Sequence, residues 1–427
     1  MNVMKRINLF FIFIIIPVIG FSGCSSESSS ESSSESSSES SSEKSSESSS
    51  EKSSEKSSEK SWKIVGADSL SDDGHEFFGI AFDSNDTPYV GLQYDPRNYA
   101  DPSEVKKFNG ESWVTVGEAG FIPDEYPLTD IAIDSNDTIY VVCDGTLDYI
   151  DYNDTDFNIE STPVLKFDGD RWVTVGELGL SAEMANSPKI AIDSNDTPYV
   201  LFKDKSANYS LTVKKLDGNN WVTVGKAGFP EDRLYESKIA IDSNDTPYVI
   251  YGAQSKQRIV KKFNGESWVT VGEAGLAELE YGTLEDISFG SNNTPYVTNG
   301  VTIRSSSDSF SYVLKFDGKN WMLIGKEDFT SVSEFFSTNI DIDSSDTLYA
   351  VYAEDTSRKI YVNKLINGRW STDLDDDGDE DLIEDSSDII SWGTGNEPDI
   401  VIDSSSTPYV IYEDNSPKYA VVVLKFD

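Results

Sequence analysis

The stretch DLDDDGDEDLIED (Asp373–Asp385) sets oxygen donors at the spacing that wraps one divalent cation. Asp373, Asp375 and Asp377 take positions one, three and five, and Gly378 takes the sharp turn. Asp379 supplies a backbone carbonyl, while Asp381 and Glu384 take positions nine and twelve. Alternating side chains then surround the ion and a bidentate carboxylate closes the cage. No helical pattern flanks the stretch, so the expectation is an isolated DxDxDG calcium loop. The alternative is a solvated acidic loop, and Glu380 stands where such loops carry an apolar residue.

Other chemistry is sparser. The phrase DSNDTPYV occurs unchanged at Asp83–Val90, Asp193–Val200 and Asp242–Val249, with degenerate copies beginning at Asp134, Gly290, Asp343 and Asp403. A calcium site needs about six oxygens around one point, and this phrase offers two carboxylates in a short turn. Asp, Ser and Asn bond to nearby backbone, and proline is tolerated at a strand start, so the phrase reads as turn chemistry. His75 is the only histidine, and a lone loop histidine is more often incidental than catalytic; any multi-histidine zinc site is excluded. Eight arginines recur at no shared repeat position, and there is no Gly-rich phosphate loop. Paired carboxylates for glycoside cleavage stay open, because 76 acidic residues make pairs inevitable. Tyr94, Tyr99, Tyr126, Tyr149, Tyr152 and Phe157 stand among Asp and Asn in loops, where aromatic faces and amide edges suit a sugar or a protein partner. Packing on their own strands is the competing reading.

These residues are carried on a repeat. Gly-x-x-Trp places Trp113, Trp172, Trp221, Trp268, Trp321 and Trp370 about 50 residues apart, a spacing that belongs to propeller blades. Each unit holds four short runs of strand character, as in IAI, PYVLF, VKKL and WVTV. Asn-Gly or Asp-Gly before the last run is a hairpin signal. The chain ends on a third strand, VVVLKFD (Val421–Asp427), and the repeat region starts on a fourth, SWKIVG (Ser61–Gly66). Pairing them closes a ring and removes two sheet edges. The expectation is an all-β, seven-bladed β-propeller of four-stranded antiparallel blades over residues 62–427. The Gly169-to-Trp172 corner resembles the Asp-box of sialidase propellers, and the architecture is distantly kelch-like. That resemblance implies a fold and no activity.

The turns within the repeat are uniform on one face. The opposite face carries connections as different as Asp144–Thr162 and Gly252–Arg258, and recognition usually resides in such loops. The variable face is therefore the expected site of function.

Lys5 and Arg6, an apolar run from Ile7 to Gly20 and Phe21-Ser22-Gly23-Cys24 form a secretion signal over residues 1–23. The ending resembles the lipobox of bacterial lipoproteins, which implies cleavage before Cys24, acylation of its thiol and a lipid membrane as partner. Residues 24–61 comprise that cysteine and a Ser-rich stretch with Glu at every fourth place and no apolar residue. This stretch reads as a disordered tether reaching roughly 35 Å. The implied location is a bacterial cell envelope, at the outer membrane or cell surface. A formal charge of -42 disfavours nucleic acid as a partner. The leading expectation is a membrane-anchored, outward-facing, non-enzymatic binding or adhesion module for protein or glycan. The alternatives are a carbohydrate-active enzyme, hydrolase or lyase, and a structural subunit of an envelope assembly. An acid pair and an arginine converging at the central channel on the variable face would favour the enzyme.

Overall fold

The computed structural model describes residues 60–66, 70, 75–94, 103–118, 127–144, 163–176, 180–181, 185–229, 234–253, 258–272, 283–302, 309–325, 335–354, 359–372, 374, 398–414 and 420–427. They form seven four-stranded antiparallel sheets arranged as a β-propeller. Blade one comprises His75–Phe82, Pro88–Tyr94, Glu104–Phe108 and Trp113–Thr115, from the channel outward. The inner strands of blades two to seven are Leu128–Ile133, Ala185–Ile192, Leu234–Ile241, Thr283–Phe289, Phe335–Ile342 and Asp399–Ile402. Among the described residues no helix is long and apolar enough to cross a membrane.

Closure follows the expected route. The outer strand of blade seven is Trp62–Ile64, paired with Ala420–Phe426 so that Trp62 faces Phe426 and Ile64 faces Leu424. Ser61 and Asp427 exchange backbone hydrogen bonds of 3.0 and 3.1 Å. The N-terminal strand is shorter than the run SWKIVG, because Gly66 turns the chain away at φ +100°.

Hydrophobic cores lie between blades, one at each of the seven interfaces. The second strand of each blade is buried on both faces, which is why PYVLF does not alternate: Val200, Leu201 and Phe202 are fully buried. The outer-strand tryptophans stitch neighbouring blades. Trp113, Trp172, Trp221, Trp268 and Trp321 each donate an indole N–H to a valine carbonyl of the preceding blade, at 2.8 to 3.1 Å.

DSNDT has two jobs, both structural. Its first carboxylate folds the turn: Asp83 Oδ1 accepts the N–H groups of Asn85 and Thr87, each at 2.9 Å. Its second Asp sits in the left-handed region, as Asp86 does at φ 58°, and projects to the preceding blade. Asp137 Oδ1 accepts Ser84 N–H at 2.7 Å, Asp196 accepts Ser135, and Asp245 accepts Ser194. The ring returns to its start when Asp86 accepts Ser404 N–H at 2.9 Å across the closing interface.

Candidate functional site

An inner strand is an exposed sheet edge, so its backbone groups need partners from the neighbouring blade. Side chains one residue ahead of the repeated Ile supply them. Asp130 of blade two accepts Ile131 N–H at 3.1 Å and reaches across to Ile190 N–H of blade three at 2.9 Å. Lys189 of blade three reaches back to the Thr129 carbonyl at 2.7 Å. Asp286 of blade five accepts Ile287 N–H at 2.8 Å and Ile340 N–H of blade six at 3.0 Å. Two residues further along blade six, Asp341 spans to Ile402 N–H of blade seven at 2.8 Å.

The local backbone explains how these groups are aimed. Six inner strands, all but that of blade seven, carry a register irregularity beside this position, between Leu128 and Asp130 or Asn186 and Lys189 for instance. A bulge twists the strand and redirects the side chains that follow it.

Stitching the edges does not account for the whole set. Lys238 of blade four forms an ion pair with Asp286 and also feels the charges of Asp399 from blade seven and Asp130 from blade two. Groups from four blades can interact in this way only by converging on the axis. The Asp286 side chain is 5% exposed and that of Lys238 is 39% exposed, so the lysine is wet yet surrounded by protein. Burial works against its charge, but the three carboxylates outweigh burial and hold its pKa above the ordinary value. Burial raises Asp130, opposed by Lys189 and Lys238. Burial lifts Asp399 to about 6 despite Lys238. Burial lifts Asp341 to about 7 against two backbone N–H bonds, helped by the charges of Asp286 and Asp399. Asp399 accepts only Ile400 N–H, at 2.9 Å, among the described contacts. Carboxyls lifted toward neutrality, with Asp399 beside the Lys238 ammonium, are groups suited to acid–base chemistry.

The expected site residues fare differently. Tyr94 ends the second strand of blade one, paired with His75 at the end of the ladder away from the DSNDT turn; both side chains lie outside the described residues. Cys24, Tyr99, Tyr126, Tyr149, Tyr152 and Phe157 lie outside them too, as do Asp373, Asp375, Asp377, Asp379, Asp381 and Glu384. Among the described residues no three His, Cys, Asp or Glu side chains are arranged so that they could hold a metal ion. The channel set was not foreseen, although one signal was available. The first strand reads DIAI at Asp130, KIAI at Lys189 and Lys238, DISF at Asp286 and DIVI at Asp399. A charge at one fixed place in an otherwise apolar strand marks a position facing something other than a core.

No protein-family model matches this chain, and no curated protein matches its sequence. Its fold is similar to that of a PL25 ulvan lyase solved with -[GlcA(1-4)Rha3S]- bound, with a TM-score of 0.54 and 12% identity over 84% of this chain and 95% of that one. A second PL25 ulvan lyase structure gives a TM-score of 0.53 and 12% identity over 84% of this chain and 94% of that one. At that identity the likeness shows the fold alone. The expectation of a non-enzymatic binding module is nevertheless corrected in favour of its carbohydrate-active alternative. The two solved propellers just described are polysaccharide lyases, and the channel gathers an ammonium group and carboxylates from separate blades. The cation is lysine, where an arginine had been the signal sought.

Proposed function

We propose that the chain is a carbohydrate-active enzyme of the polysaccharide-lyase kind, working in the central channel on a uronate-containing glycan. One observation carries this reading: Lys238 converges with Asp130, Asp286 and Asp399 from three other blades. In a β-elimination a base takes the proton on the carbon beside the uronate carboxylate, the glycosidic carbon–oxygen bond opposite breaks, and a carbon–carbon double bond forms. The departing oxygen takes up a proton. Lys238 would neutralise the uronate carboxylate and so acidify that carbon. Asp399, at about 6, is ionised at neutral pH and suits the base. Asp341, at about 7, still holds a proton in part of the population and suits the acid.

The test is incubation of the full chain with glucuronate–sulfated rhamnose and other uronate polysaccharides, followed by ultraviolet absorbance of the unsaturated uronyl product. Absorbance that grows with wild type and not with Lys238→Ala supports the assignment. New reducing ends without that absorbance identify a hydrolase, and the proton inventory then passes to paired carboxylates. A wild type inert on every uronate chain rejects the reading.

The proposal includes the lipid-anchored tether beginning at Cys24, which would display the propeller at the envelope. It includes as well the calcium loop from Asp373 to Glu384, which lies in the sequence between blade six and the strand carrying Asp399. Calorimetric calcium titration of wild type against Asp375→Ala tests the loop.

A further inference from the structure

In every blade the tyrosine of the PYV phrase lies directly across from a lysine of the third strand: Tyr89 faces Lys107, Tyr199 faces Lys215, Tyr248 faces Lys262 and Tyr409 faces Lys425. These ammonium groups stand 5.8 to 5.9 Å from the ring centroids, within cation–π range. Packing alone explains such a pair. It does not explain two grooves on the uniform face, one between blades three and four and one between blades seven and one. Their volumes are about 610 and 450 Å³.

The two grooves share most of their lining, position by position in the repeat. One is walled by Tyr199, Lys215 and, from the next blade, Lys262, Phe263 and Asn264; the other by Tyr409, Lys425, Lys107, Phe108 and Asn109. Each therefore holds two lysines in a strongly acidic protein; one of these, Lys425, also pairs with Asp427 at 3.2 Å. The carboxylates of the grooves are already engaged: Asp245 accepts Ser194 N–H, Ser194 Oγ–H and Asn195 Nδ2–H, Asp86 accepts both donors of Ser404, and Asp83, which lines only the groove between blades seven and one, accepts the N–H groups of Asn85 and Thr87. The asparagine uses its oxygen within its own turn, where Asn264 Oδ1 accepts the N–H groups of Glu266 and Ser267 and Asn109 Oδ1 those of Glu111 and Ser112. Its amide N–H₂ is left to donate outward. The sibling turns show what is special here. Blades two and five place Asp168 and Asp317 at this position, accepting the same two N–H bonds, and blade three has Asp217. An added carboxylate there repels an anion; the asparagine of blades one and four does not.

We infer that these two inter-blade grooves bind acidic sugar units, sulfated or uronate, of a polyanionic glycan. Two ammonium groups and an amide take the anionic substituent, and Tyr and Phe supply faces for the ring. The overall negative charge does not prevent this, because at physiological salt its field is screened over about 8 Å and the local lysines act at contact. Two grooves on one ring make a long chain bind far more tightly than a short one.

The experiment measures calorimetric binding of dextran sulfate, long and short, to the full chain, with neutral dextran as the reference. Dextran sulfate has no uronate and cannot undergo the elimination, so its binding stands or falls separately from the lyase reading. The variants are Asn109→Asp and Asn264→Asp, a change that sibling turns already accommodate, against a control of Lys205→Gln with Lys319→Gln, exposed lysines that line neither groove. The expected result is sulfate-dependent binding that the double Asn→Asp variant weakens by on the order of tenfold to a hundredfold for the long chain, with the control within twofold or so of wild type. Wild type that prefers neutral dextran or binds neither polymer overturns the inference. So does a double variant that binds as wild type does.

Discussion

Asp341 offers the sharpest test of the channel electrostatics. Burial lifts its carboxyl from an ordinary 3.8 to about 7, so the folded chain holds that proton more tightly than the unfolded chain does. The sign follows: this contribution to stability is fully present below about pH 4 and is lost as pH rises through about 7. At about 1.4 kcal/mol for each tenfold change in proton affinity, the loss across that window is roughly 4 kcal/mol. Replacing Asp341 by Asn removes the titration. It also disturbs the bonds to Ile342 and Ile402, but that cost does not vary with pH. The measurable quantity is therefore the stability of Asp341→Asn minus that of wild type, from urea unfolding at intervals between pH 4 and 8. We expect it to climb by roughly 3 to 5 kcal/mol as pH rises, whatever its starting value. A difference that stays flat, or that falls with pH, shows that the carboxyl titrates in its ordinary range and that the channel does not hold protons near neutrality.

Lys238→Ala should leave Asp286 without its ion-pair partner. Breaking a fully buried pair costs about 3 to 5 kcal/mol, but Lys238 is 39% exposed, so screening brings the expected loss to about 1 to 2 kcal/mol by urea unfolding at neutral pH. The same change removes a charge that lowers the Asp399 pKa, so any residual activity should show its acid limb at higher pH. Gly176→Ala places a Cβ 2.7 Å from Trp221 Nε1 at φ +86°, against an indole bonded to the Val175 carbonyl at 3.0 Å. Backbone strain alone costs about 1 to 2 kcal/mol, and displacing the indole adds about 1 more. Gly169→Ala, at φ +98° with nothing within 4 Å of its Cβ, should show only the backbone part. Equal thermal destabilisation of the two variants would refute the tryptophan stitch.

Much of the scaffold was legible before any coordinates. Strand character, hairpin residues and period are local signals, and the orphan third and fourth strands at the two ends pointed to Trp62 pairing with Phe426, as found. The turn role of DSNDT could be read from Asp and Asn chemistry, but its second role could not. Asp137 accepts from Ser84, 53 residues earlier, and nothing in an eight-residue phrase reveals a partner one blade away. The channel site was hidden for the same reason. Asp130, Lys238, Asp286 and Asp399 each look like a stray charge in an apolar strand, whereas the acidic and aromatic loops carry the denser local signal.

The amino-acid sequence by itself determined the blades, their number and the seam, because β-pairing of neighbours and turn formation depend on side chains a few residues apart. Tertiary structure alone decided which charges meet. Closing the ring brings equivalent strand positions from separate repeats around one axis, and there burial and mutual repulsion, rather than residue type, set which carboxyl keeps its proton.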